Sequence, residues 1–151
     1  MCRSVLERAR TNPASLFDSA LVEALASKRA GAVLRLLDEP IDFIYRARLL
    51  PGDVCKALLE EAARFTTWTD TYAAEHGISD KERSIRGIGK GSAVLDTMGL
   101  QPFLDALMEQ IVRPLCGILF PGVGGEYLEY RHGYIASYQH PTAASEPSYG
   151  E

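Results

Sequence analysis

Residues 127–138, Y-L-E-Y-R-H-G-Y-I-A-S-Y, concentrate the side chains of this chain that could do chemistry. Phenol hydroxyls and an imidazole donate and accept hydrogen bonds, and their rings offer packing surface. With a period of two, Leu128, Tyr130, His132, Tyr134, Ala136 and Tyr138 share one face; Tyr127, Glu129, Arg131, Gly133, Ile135 and Ser137 share the other. The tyrosine-rich face is expected to line a core or a ligand pocket. Metal chemistry has less to work with. None of His76, His132 and His140 is followed two places later by Asp or Glu, and H-E-x-x-H, C-x-x-C and G-x-S-x-G are all absent. His132, among tyrosines, reads as a packed and hydrogen-bonded histidine; His140, before Pro141, reads as a solvated loop residue. Cys2, Cys55 and Cys116 are too few and too scattered for a disulfide framework, and no Cys–His spacing supports nucleophilic catalysis. Cys55 and Cys116 fall in apolar helical patterns, where a thiol behaves as a small hydrophobe.

Two further clusters invite an anion-binding reading. Gly87-Ile88-Gly89-Lys90-Gly91 suggests a phosphate loop but fails on spacing. The nucleotide loop needs four residues between its first glycine and G-K-[ST], and the dinucleotide loop needs G-x-G-x-x-G. A plain loop is the better reading. Arg46 and Arg48 project from the outer face of an alternating segment, where charges are ordinarily just solvated.

These residues need elements to hold them. Ser15 is expected to open a first helix, with Asp18 three positions on as a weak capping box and Phe17, Leu21 and Leu25 at helical spacing. Gly31 interrupts, residues 33–37 add an apolar turn, and Pro40 closes the segment. Residues 41–50 alternate, with Ile41, Phe43, Tyr45, Ala47 and Leu49 facing one way, which predicts a half-buried strand. Pro51-Gly52-Asp53 starts a helix to about Phe65, with a stripe of Val54, Leu58 and Ala62. Residues 66–92 are expected to be mostly loop, and 92–97 a short strand around Val94. Residues 101–120 form the longest helical pattern, with a kink or break expected at Pro114. Pro121, Gly122, Gly124 and Gly125 then turn the chain into the 127–138 strand, bent at Gly133.

At 151 residues the chain can bury one core. Hydrophobic and charged shares of 46% and 24% are globular values. A net charge of −4, with no basic cluster, argues against a nucleic-acid partner. The charged N-terminus does not read as a secretory signal, and no apolar run approaches a membrane span. The sparse cysteines suit a reducing, intracellular setting, with the cytoplasm as the expected compartment.

Segment order says more than any motif. From Ile44 the sequence runs I-Y-R-A-R-L-L-P-G-D-V-C-K-A-L-L-E-E; D-T-M-G-L-Q-P-F-L-D-A-L follows from Asp96, I-V-R-P-L-C-G-I-L-F-P-G-V-G-G from Ile111, and the tyrosine strand from Tyr127. In this order the segments resemble the iron(II)- and 2-oxoglutarate-dependent dioxygenases of the prolyl 4-hydroxylase-like group. Within that group they are most similar to the intracellular 2-oxoglutarate and iron-dependent oxygenase domain proteins. The resemblance implies a double-stranded β-helix (jelly-roll) enzyme using iron(II) and 2-oxoglutarate, with ascorbate as an optional helper. In that family a strand ending in tyrosine leads on into the H-x-D that holds iron, and Glu151 comes before any H-x-D here. By this resemblance Tyr138 corresponds to a tyrosine lining the 2-oxoglutarate pocket; its plainer reading is a core tyrosine.

The expectation is therefore an α+β chain, with helices packed on the first strands of a jelly roll that is incomplete within it. Residues 1–40 would be an N-terminal helical extension, 41–138 the N-terminal part of an oxygenase domain, and 139–151 a polar loop or tail. Such a chain would be inactive alone, with no metal ligand, catalytic residue or bound cofactor of its own. The alternative is a non-catalytic interaction module that uses the exposed tyrosine strand, with self-association through it. The substrate is left open between prolyl, lysyl and non-protein classes.

Overall fold

The computed structural model describes residues 3–85 and 92–136. Helix α1 (Arg3–Thr11) precedes a 3-10 turn at Pro13–Leu16 and helix α2 (Ser19–Ala26). The first helix thus does not open at Ser15, whose hydroxyl instead donates to the Asn12 carbonyl at 2.7 Å within the turn. Asp18 is the N-cap of α2: its carboxylate accepts from the amides of Ala20 at 3.1 Å and Leu21 at 3.3 Å. Helix α3 (Ala30–Leu34) runs through Gly31 rather than being interrupted by it.

Pro40 closes nothing, because it lies inside strand β1 (Asp38–Ile41). That strand pairs antiparallel with β2 (Ile44–Arg46), with Ile41 opposite Ile44. The single half-buried strand expected over 41–50 is therefore the far half of a hairpin, turned at Asp42-Phe43. Phe43 adopts φ +64, and its amide donates to Glu39 Oε1 at 3.0 Å. The expected alternation is covered only in its second part: Ile41 and Phe43 are exposed, whereas Tyr45, Ala47 and Leu49 are half-buried between exposed Arg46 and Arg48, and Leu49 packs against the core.

Helix α4 (Gly52–His76) continues eleven residues past Phe65, through a segment expected to be loop. Four threonines between 66 and 71 lower its intrinsic helix propensity. Their hydroxyls are absorbed locally: Thr67, Thr69 and Thr71 donate to the carbonyls of Ala63, Thr66 and Thr67. Gly77, at φ +62, caps the helix in the left-handed conformation, and the Ile78 amide returns to the Ala73 carbonyl at 2.9 Å. Helix α5 (Asp80–Ile85) occupies more of the expected loop. The cluster Gly87-Ile88-Gly89-Lys90-Gly91 lies outside the described residues.

Strand β3 (Ser92–Val94) falls where the sequence places it. Helices α6 (Gln101–Leu107) and α7 (Arg113–Leu119) flank a π turn at Met108–Val112. Pro114 lacks an amide hydrogen and sits in the first turn of α7. The expected break therefore takes the form of a widened turn just before the proline. Strand β4 (Tyr134–Ala136) pairs antiparallel with β3, with Ser92 opposite Ala136, Ala93 opposite Ile135 and Val94 opposite Tyr134.

The core is helical. Val5, Leu16, Leu21, Val33, Val54, Leu100 and Ile111 are fully buried. Phe17 packs on Phe103 at 6.4 Å between ring centres. Leu58, Leu107 and Leu115 pack against this cluster from its margin. Each buried leucine or isoleucine contributes about 1.5–3 kcal/mol, and the helices can hold together through these side chains.

Candidate functional site

The tyrosine segment is held from behind. Its entry turn depends on Gly125, where an added Cβ would lie 2.3 Å from the Cys116 carbonyl oxygen. Gly124, at φ +76, reverses the chain after α7. Arg113 then donates from Nε to the Leu128 carbonyl at 2.8 Å. Farther along, Arg131 reaches two carboxylates of the β3–α6 connection and α6: Nη1 lies 3.1 Å from Asp96, and Nη2 2.6 Å from Asp105. The Asp105 hydrogen bond, opposed in part by burial and aided by Asp96, raises the guanidinium further above its already high range. At Gly133 a Cβ would come within 2.9 Å of both Leu104 Cδ2 and Leu95 Cδ1, so a larger residue there would have to displace leucine methyls. The Leu95 amide donates to the Gly133 carbonyl at 2.9 Å, and Ile135 packs against the core margin.

Arg131, Gly133 and Ile135 thus make the inner face. The tyrosine face points outward: Tyr130 is 91% and Tyr134 63% exposed. Tyr130 and Tyr134 therefore do not join the core, because the inward positions are taken by the opposite set. His132 is exposed as well, rather than packed and hydrogen-bonded as expected, and its ring leans on Tyr134 at 6.1 Å. Regular pairing is also shorter than expected. It begins at Tyr134, and 128–133 run outside any strand. Tyr138 and His140 lie outside the described residues.

Among the described residues no three His, Cys, Asp or Glu side chains gather as metal ligands. Cys116 is half-buried, and burial pushes its thiol up, away from the reactive thiolate. Cys55 is exposed on α4 rather than packed in its stripe.

The second half of α4 carries a feature that was missed when the helix was ended at Phe65. Phe65, Trp68, Tyr72 and His76 form a continuous ladder, with ring centres 6.0, 5.7 and 4.1 Å apart. Their spacing of three, four and four is the helical signal that would have revealed it. His76 Nδ1 lies 2.8 Å from the Tyr72 carbonyl, so that nitrogen carries the proton. Buried Arg83 on α5 ties back to Asp70 of α4, with Asp80 at 3.8 Å.

This chain belongs to the OGFOD2-like domain family, which it matches over residues 7–125, from within α1 to the turn that follows α7. Two curated proteins of Arabidopsis thaliana are similar to it. One is the 2-oxoglutarate and iron-dependent oxygenase domain-containing protein CP2, 29% identical over 128 residues, covering 83% of this chain and 30% of that protein. The other is the similarly named protein ICU11, 26% identical over 127 residues, covering 84% of this chain and 30% of that protein. The chain spans about three tenths of the length of the curated relatives it matches. No solved structure matches it. A 2-oxoglutarate/iron oxygenase-like family is the one that segment order indicates, and the matched region takes in the end of α1 and all of α2 and α3 as well. No helix among the described residues is long and apolar enough to cross a membrane.

Proposed function

We propose that this chain is the N-terminal, pre-catalytic part of a 2-oxoglutarate- and iron(II)-dependent dioxygenase of the hydroxylase type, inactive alone and working inside the cell. The observation that carries the reading is the outer face of the segment running into β4, bare at Tyr130 and Tyr134 while Arg131 between them is tied to Asp96 and Asp105 behind. Such a strand is prepared to receive further strands, as the first strands of a jelly roll would be. Tyr138 lies just past its end, and a phenol there would hydrogen-bond a 2-oxoglutarate carboxylate. The described residues do not fit the iron themselves, since no triad of ligands meets among them. No chemical step is therefore assigned to them, and their role is to position.

The test uses the purified chain with iron, ascorbate, 2-oxoglutarate and oxygen. Succinate should not form above a no-protein blank, and manganese(II) should bind no better than to a generic acidic protein. Turnover, or stoichiometric micromolar manganese binding lost on His132→Ala, would overturn the reading.

The same exposed face favours a second reading, a non-catalytic module that pairs with a partner through β4. The genomic DNA beyond the Glu151 codon separates the two. An in-frame H-x-D supports the oxygenase reading, and a stop codon confirmed in transcripts supports the module.

A further inference from the structure

We propose that α4 pairs, antiparallel and about a two-fold axis, with α4 of a second copy of this chain. The contact would use the Trp68–Tyr72 ladder, flanked by Arg64 of each copy against Glu75 of the other. The inference does not depend on the oxygenase reading.

On an ideal helix of about 100° per residue, Val54, Leu58, Glu61, Phe65, Trp68, Tyr72 and His76 fall along one face. The face is covered where it begins and uncovered where it ends. Val54 is fully buried, and Leu58 packs on the core margin. Beyond Phe65 the cover stops, leaving Trp68 60% and Tyr72 40% exposed. Thr69 and Ala73 are the buried residues of this half, and they lie roughly a quarter turn away. The open stripe is therefore the continuation of a core-facing surface, and its residues are aromatic. Scattered exposed apolar side chains need no explanation, but a stacked run of them marks an interface.

Charge placement selects the occupant. Arg64 and Glu75 stand on the same flank of the stripe, about 20° apart around the helix. The point midway between them falls between Thr69 and Asp70, within the ladder. A two-fold axis there sets Arg64 opposite Glu75 of the second copy, twice. It also brings Trp68 against Tyr72 of the second copy, twice. That is the self-complementarity an isologous contact requires. The groups have capacity for it. Glu75 has no ion pair among the described residues. Arg64 is 58% exposed and uses one guanidinium nitrogen on Glu61 at 2.8 Å, leaving donors of its fork for another carboxylate. A single helical stripe is smaller than the ~800 Å² per partner of a standard interface, so the pair is weak, with Kd on the order of 10–100 µM.

Sedimentation equilibrium of the full chain from about 1 to 300 µM tests this. The wild type should pass from monomer to dimer over that range. Arg64→Glu and Glu75→Arg should each weaken association about tenfold, and the double reversal should restore it to within about threefold. Both positions are exposed, so helical circular dichroism should be unchanged in all three. Trp68→Ala should abolish dimerisation; if that variant fails to fold, the charge reversals decide. A monomer throughout, or a double reversal no better than the single ones, overturns the proposal. So does association that ignores these changes and disappears in Tyr130→Ser/Tyr134→Ser, which would place the contact on the tyrosine face at 130–134.

Discussion

The two small sheets are alike in size and opposite in support. Among the described residues the β1–β2 hairpin and the β3–β4 pair each hold two short antiparallel strands, and each shows aromatic or branched side chains to solvent. The chain entering β4 is anchored by a paired arginine and a glycine fitted against two leucines, and β4 itself by a half-buried isoleucine. The hairpin has less. Arg46 and Asp38 form an exposed ion pair across it, and Tyr45 meets Phe120 edge-on at 6.0 Å. Beyond Tyr45 the tip is bare. Exposure alone does not make a functional surface. Exposure on an anchored element does, because anchoring fixes the geometry that a partner must meet.

The sharpest way to break this contrast is to remove the close fit behind the tyrosine segment. Gly125→Ala places a methyl 2.3 Å from a backbone oxygen that cannot swing away, and Gly133→Ala places one 2.9 Å from leucine methyls that can. We expect losses of about 3 and 2 kcal/mol respectively in urea unfolding, with faster amide exchange in 133–136. If both changes are neutral, β4 is not anchored and the contrast fails.

Arg131→Leu comes next. It removes the shared cation from Asp96 and Asp105, both partly exposed, so solvent softens the loss to about 1–2 kcal/mol. The effect should appear first as exchange at the Leu95 amide, which donates to Gly133. Arg46→Leu in the hairpin should cost less than about 0.5 kcal/mol, because that pair is solvated on both sides.

How much of this was legible follows the same divide. Helical periodicity marked Phe17, Leu21, Leu25 and Val54, and those residues lie in the core. The period of two separated Tyr130, His132 and Tyr134 from Arg131, Gly133 and Ile135, but not which set turns inward. Three tyrosines looked like the buried face, and an arginine, a glycine and an isoleucine took it. Burial of Arg131 depends on Asp96 and Asp105, 35 and 26 residues away, and no local pattern contains them. The α4 ladder was lost because 66–92 read as mostly loop; the threonines there lower helix propensity, and their hydroxyls are satisfied on carbonyls of the helix itself. The OGFOD2-like match stops at Gly125, so the tyrosine strand was read from its own residues and from segment order.

A smaller effect should follow acid. The Arg8 hydrogen bond, at 2.8 Å, holds the Asp53 carboxyl below its usual range and clasps α1 to the start of α4. Because the folded value is depressed, this stabilisation is present above the unfolded carboxyl pKa of about 3.9 and is lost as pH falls through the folded value. Between pH 6 and pH 3 the urea midpoint of Asp53→Asn should therefore fall less than that of the wild type. The exchange contrast between β4 and the hairpin should stay unchanged, since neither sheet uses this pair. Equal acid sensitivity in the two proteins would remove the clasp from the account.

The smallest effect has the opposite sign, and it probes the bare tip directly. Phe43 holds φ +64, a region that costs a β-carbon-bearing residue roughly 1–2 kcal/mol and glycine almost nothing. Its ring is 73% exposed, so removing it gives up little buried area. Glycine gains from the relieved backbone and loses about 0.5–1 kcal/mol through the greater freedom of the unfolded chain. The Glu39 contact to the residue 43 amide survives the change, because it is made by the backbone. Phe43→Gly should accordingly be neutral or raise stability by up to about 0.5–1 kcal/mol in urea unfolding, while Gly133→Ala at the other sheet lowers it. A loss of more than about 1 kcal/mol in Phe43→Gly would show that the ring has a covered surface in solution. The hairpin would then be a second anchored element, and the distinction between presented and merely exposed aromatics would have to be redrawn.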